Sequence, residues 1–235
     1  MSCILYIETA TEVCSVAVSN NNEIIFSKKE TEGPSHAVVL GQFVDEAIKF
    51  INSKNIRLNA VAVSCGPGSY TGLRIGVSEA KGLCYGLNIP LIAINTLKVL
   101  AYGIVNNKTI DDDTLLCPMI DARRMEVYDT LYNNKLEEIK PVSADIIDES
   151  SFGEYLKEKK ILFFGNGAEK CKAVLHHPNA LFLDSIHPLA EDMTGLAEEA
   201  YRNKSFVDTA YFEPFYLKEF VATIPKNKVL PMNSQ

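Results

Sequence analysis

One order of elements can be read twice along this chain of 235 residues, and that repetition restricts its fold more than any other feature. Ile4-Leu5-Tyr6-Ile7-Glu8 is an apolar strand ending on a carboxylate, and Leu115-Leu116-Cys117-Pro118-Met119-Ile120-Asp121 is a second. A short turn and an alternating strand follow each, Val13–Ser19 in the first half and Glu126–Tyr132 in the second. Further on, Ala60-Val61-Ala62-Val63 runs into Gly66-Pro67-Gly68 and a helix. Ile161-Leu162-Phe163-Phe164 runs into Gly165-Asn166-Gly167 and another helix. The likeness lies in the order of elements rather than in matched residues, and it predicts a duplicated α/β domain.

The intervening stretches fill in each half. Residues 23–29 read as a strand joined to 13–19 by the turn cluster Asn20-Asn21-Asn22. Ser35 can cap a helix to Ile51 whose apolar stripe includes Val39, Leu40, Phe43, Val44 and Ala47. Thr71 can cap a helix over 72–87. A strand at 90–94 and a helix from Thr96 to Val105 close the first half, and residues 189–203 read as a late helix. The expected organisation is an N-terminal subdomain at 1–106 and a C-terminal one at 107–224, whose last segment can pack back on the first. A polar, flexible tail follows at 225–235.

Strand, hairpin and crossover helices given twice is the plan of the actin, Hsp70 and sugar-kinase superfamily. In its nucleotide-binding members the acid at the end of each first strand helps to place a metal–phosphate beside a glycine-containing turn. Here the turns after Glu8 and Asp121 contain no glycine, so neither backbone can close on a phosphate in that way.

Composition narrows the classes further. A net charge of −7 and a pI near 5.2 argue against a broad nucleic-acid footprint. No apolar run approaches the roughly 20 residues that span a bilayer, so no membrane partner is expected. Met1-Ser2-Cys3-Ile4 lacks the features of a signal peptide, and the six scattered cysteines include no Cys-x-x-Cys. The expectation is a cytoplasmic protein with reduced thiols.

The stretch Ser64–Gly76 offers several chemistries, and most fail on residue type. As a phosphate cradle it has no Lys at the P-loop position, and Arg74 is its one cation. As a nucleophile site, Ser69, Tyr70 and Thr71 have no His within the segment. Four residues after His36 stands Leu40, so no helical metal pair forms, and the adjacent His176 and His177 diverge on any regular element. Gly66, Pro67, Gly68 and Thr71 therefore read as a structural turn. The helix after it carries Gly72, Gly76 and Ala80 at i, i+4, i+8, with Gly82 and Gly86 as a second ridge. Each helical glycine costs about 1 kcal/mol against alanine. Close helix approach supplies the compensation, and the neighbour can be another helix of this chain or a partner's.

Four motifs in order carry a resemblance over nearly the whole chain: Ile7-Glu8-Thr9-Ala10-Thr11-Glu12-Val13-Cys14-Ser15-Val16-Ala17, Ser64–Gly76, Asp121-Ala122-Arg123-Arg124-Met125-Glu126-Val127-Tyr128, and Pro214-Phe215-Tyr216-Leu217-Lys218-Glu219-Phe220-Val221-Ala222. Together they closely resemble the bacterial TsaB (YeaZ) family, with Glu8 where that family usually has Asp and Lys218 where it has Arg. The resemblance implies a non-catalytic subunit that pairs with the related catalytic protein TsaD. It works with TsaE and a carbamoyl-adenylate synthase to install threonylcarbamoyl on the adenosine beside the anticodon of tRNAs reading A-starting codons. It implies no cofactor or metal on this chain, with ATP or ADP and metal held by TsaD, and tRNA met only through the complex. It implies docking through the helices at 35–51 and 72–87, with Val39, Leu40, Phe43, Gly72, Leu73, Gly76 and Ala80 as interface candidates. A homodimer through the same surface stays open when the partner is absent. Two alternatives share the fold: a metallopeptidase-like glycoprotease, and a small-molecule kinase using Glu8 and Asp121.

Overall fold

The computed structural model describes residues 2–31 and 36–218. Ser35, Glu219–Ala222, Lys226, Lys228 and the tail at 225–235 lie outside them. The first half gives β1 (Cys3–Glu8), β2 (Cys14–Asn20), β3 (Glu23–Glu30), α1 (His36–Ser53), β4 (Ala60–Ser64), α2 (Tyr70–Leu87), β5 (Leu91–Ile94) and α3 (Thr96–Asn107). The second gives β6 (Thr114–Asp121), β7 (Glu126–Tyr132), β8 (Glu138–Ile146), α4 (Gly153–Glu158), β9 (Lys160–Phe164), α5 (Ala168–Cys171) and β10 (Ala180–Phe182). A 3-10 turn at Ala190–Met193 then leads into α6 (Thr194–Arg202).

The duplication is plain in the sheets. One has the order β3-β2-β1-β4-β5 and the other β8-β7-β6-β9-β10. In each, the hairpin strands pair antiparallel and the strands reached by crossover helices pair parallel. We call the first sheet with α1 and α2 lobe I, and the second with α4 and α5 lobe II.

Alternation along each strand sends side chains to two different cores. In lobe I, Leu5, Ile7, Val61 and Val63 face α1 and α2, while Ile4, Tyr6, Ala60 and Ala62 face the 3-10 turn, α6 and Val99 of α3. In lobe II, Cys117, Met119, Ile161 and Phe163 face α4 and α5, while Leu116, Ile120, Leu162 and Phe164 face Leu97, Leu100 and Ile104 of α3. The layers therefore run α1/α2, sheet, α3/α6, sheet, α4/α5. Residues 190–202, late in the chain, complete lobe I's inner face. After α6 the backbone continues along lobe I, where Val207 bridges Leu91 at the edge of β5.

Two local expectations need correction. Helix α2 begins at Tyr70, and its cap is Ser69, whose Oγ accepts a hydrogen bond from the Gly72 amide at 3.2 Å. Thr71 lies inside the first turn, because the chain turns sharply enough at Gly66–Gly68 for the helix to start earlier. Strand β8, α4 and β10 have no counterpart in the elements expected from the sequence.

Candidate functional site

The glycine turn between β4 and α2 is held by the chain on both sides. Gly66 has φ +111°, and a Cβ there would lie 2.6 Å from the Phe215 carbonyl oxygen. A Cβ on Gly68 would lie 2.5 Å from the Ala10 carbonyl oxygen, so only glycine lets the turn after β1 come this close. The Ser69 amide donates to that same Ala10 carbonyl at 2.7 Å.

The small-residue ridge of α2 faces inward. A side chain at Gly72 would collide with the Thr9 carbonyl and one at Gly76 with the Thr9 hydroxyl, which itself donates to the Gly72 carbonyl at 2.8 Å. Val39, Leu40, Phe43, Leu73 and Ala80 are all buried in lobe I's own core. The seven interface candidates are all buried within lobe I, with Gly72 and Gly76 against Thr9 of the turn after β1. The compensation for glycine in α2 is the close approach of the β1–β2 turn. The second ridge differs: Gly82 and Gly86 have nothing within 4 Å of a built Cβ, and neither has Gly41 of α1. Between α1 and α2, Ile48, Leu83, Leu87, Gly82 and Gly86 line an open groove of about 410 Å³.

Glu8, at the end of β1, is fully enclosed. Its Oε1 accepts from the Ala10 amide at 2.6 Å and from the Ser64 hydroxyl at 2.8 Å, while Oε2 has no hydrogen-bond partner among the described residues. Burial pushes this carboxyl up to about 7, against the opposing pull of those hydrogen bonds. Asp121, at the end of β6, is ion-paired with Lys170 and accepts from the Arg123 amide.

Between the lobes lies a cleft of about 640 Å³, bounded by the turns after β1 and β6, the start of α2 and residues 215–218. Glu12 reaches across it: Oε2 accepts from Asn166 Nδ2 at 2.6 Å, and Oε1 lies 3.1 Å from His187 Nδ1. Among the described residues no group of three His, Cys, Asp or Glu side chains is arranged to hold a metal ion.

The segment after α6 forms a strap along the outer wall of this cleft. Lys81 of α2 donates to the carbonyls of Ala210 and Phe212 at 3.1 and 2.9 Å, and the Phe215 amide donates to the Cys65 carbonyl at 2.7 Å. Tyr216 packs on Tyr70 with ring centroids 4.9 Å apart, and Lys218 crosses to lobe II to pair with Glu126. Sequence reasoning found the strap as a motif but not its place, because most of its anchors are backbone carbonyls and amides. Thr9 was also missed, and the cap was placed on Thr71 rather than Ser69. Ser69 had a signal: a cap residue three positions before the amide it receives.

A model of the family described as "TsaD: tRNA N6-adenosine threonylcarbamoyltransferase" matches residues 23–226. An Escherichia coli (strain K12) protein described as "tRNA threonylcarbamoyladenosine biosynthesis protein TsaB" is 30% identical over 231 residues, covering 93% of this chain and 96% of its own length. The Bacillus subtilis protein of the same description is 32% identical over 177 residues, or 73% of this chain and 74% of that one. Among solved structures, "YeaZ from Pseudomonas aeruginosa" superposes with a TM-score of 0.78 at 25% identity, over 92% of this chain and all of that one.

Proposed function

The chain belongs to the TsaB (YeaZ) family of tRNA threonylcarbamoyladenosine biosynthesis proteins, and on that premise we propose that it is the family's non-catalytic, activating subunit. It works in the cytoplasm by docking on a TsaD-type catalytic subunit and meets a TsaE-type ATPase and tRNA only within that assembly. ATP or ADP and metal belong to the partner. The carboxylates that a kinase of this fold would need support this reading, since Glu8 is enclosed by its own turn and Asp121 is tied to Lys170.

The observation that carries the docking proposal is the outer face of α1 and α2. Gly82 and Gly86 stand open beside the half-buried Leu83 and Ile48, with Leu87 48% exposed and Val38 64% exposed. Glycines without an intramolecular neighbour let a partner helix approach closely. The docking residues assigned here are therefore Val38, Ile48, Gly82, Leu83 and Gly86, in place of the buried ridge.

The test is Gly82→Leu, mixed with a TsaD-type subunit and followed by size exclusion and by tRNA modification in the reconstituted system. Loss of both heterodimer and stimulation is expected, with a thermal melt no lower than that of the wild type. Full association by a folded Gly82→Leu chain would remove this face from the docking surface.

A further inference from the structure

A second crevice, of about 580 Å³, opens between the lobes at the opposite end of β1 from the cleft. Its walls come from the β2–β3 turn, α3 and α6 on one side and from the β7–β8 turn of lobe II on the other. Three cations converge on it from three elements: Lys98 of α3, Lys135 of the β7–β8 turn and Arg202 at the end of α6. None has an ion-pair partner among the described residues. Most described Lys and Arg likewise lack one, so the crevice is marked by the convergence of its cations rather than by their being unpaired.

Two carboxylates also line the crevice. Glu198 is largely buried, and both its oxygens accept from the Ser2 hydroxyl, at 2.7 and 2.8 Å; Glu199 is exposed. The local balance is thus one positive charge, with the Asn22 amide and the Tyr102 hydroxyl as further donors on the wall. Two ammonium groups and one guanidinium fork suit phosphate oxygens, and the volume lies within the range of small-ligand sites.

We propose that this crevice binds a small phosphate-bearing ligand, gripped by Lys98, Lys135 and Arg202 from both lobes at once. Because the grip spans lobe I, the central helices and lobe II, occupancy stabilises the assembled pair of lobes by mass action.

The experiment is calorimetric titration of the full chain with pyrophosphate, alongside thermal melts. Saturable one-to-one binding is expected, with a raised melting temperature. Lys98→Ala with Arg202→Ala, and separately Lys135→Ala, should weaken it at least tenfold. Lys98→Arg and Lys135→Arg should retain it, which separates lost charge from lost fold. Arg123→Ala, in the other cleft, should leave it unchanged. The proposal is overturned by no saturable binding at millimolar pyrophosphate, or by binding that Arg123→Ala abolishes and the crevice variants keep. A short single-stranded RNA that displaces pyrophosphate at lower concentration would replace the small ligand with an extended polyanion and overturn it too.

Discussion

At the end of β1, Glu8 sits one residue beyond the last parallel pair of its strand, Ile7 with Val63. At the end of β6, Asp121 sits three residues beyond the last such pair, Pro118 with Phe164. In sequence the two look alike, an apolar strand finished by an acid. The register sends them to opposite fates. Glu8 stays beside the end of β4, where Ser64 and its own turn enclose it. Asp121 has overrun its neighbour and emerges into the cleft, 44% exposed and paired with Lys170. The helices launched from the two glycine turns differ in the same direction: α2 has 18 residues and α5 has four. Duplication has kept the order and sense of the strands, while the register and the lengths of helices set what each copy can do.

The sharpest way to test that asymmetry is inside α2. Gly76→Leu forces a side chain into Thr9 and should cost about 3 kcal/mol, read as a fall in the denaturant midpoint. Gly82→Leu, two turns on, should cost nothing and can add up to about 1 kcal/mol of helix propensity. Equal losses at the two positions would mean that α2 packs on a different face.

The carboxylates provide the next comparison. Glu8 rises from 4.5 to about 7 on folding, so the folded state holds its proton longer than the unfolded chain. Its contribution is fully present below pH 4.5 and is lost as pH rises through 7. Glu8→Gln should flatten the fall of stability over that window by on the order of 3 kcal/mol in total. The slope will not vanish, because burial also raises Asp129 to about 6 and Asp192 to about 7. A wild-type slope retained by Glu8→Gln would show that the acid is already ionised in the fold.

Smaller effects belong to the strap and to lobe II. Lys81→Met removes both anchors to Ala210 and Phe212 and should speed limited proteolysis near residue 210, with about 1 kcal/mol lost locally and the core melt little changed. Asp121→Asn should change stability by less than about 0.5 kcal/mol at any pH above 5, as an exposed ion pair does. A loss there as large as the effect at Glu8 would erase the distinction between the two lobes.

Much of this frame was legible from the residues. The β-branched and apolar runs at 3–8, 60–64 and 161–164 could be little other than buried strands, and the paired glycine turns marked the repeat. Strand β8 was hidden because Glu138, Lys140, Pro141 and Ser143 break any apolar run, and its strand character comes from pairing with β7. The glycine ridge on α2 was visible, but a ridge cannot say what lies against it. Thr9, a small polar residue in a turn, gave no sign that it would be the neighbour. Nor could spacing reveal register, which sends Glu8 inward and Asp121 into the cleft.

The strap also bears on how the chain comes to be folded as it is synthesised. Lobe I's sheet is encoded by residue 94, yet its inner face waits for residues 190–202 and the edge of β5 for Val207. The Cys65 carbonyl receives its donor only when Phe215 has been made. An N-terminal half emerging first would thus hold an apolar face and an open strand edge until nearly the last of the described residues has joined it. Lobe I is begun by β1 and completed only by residues 190–215, far later along the chain.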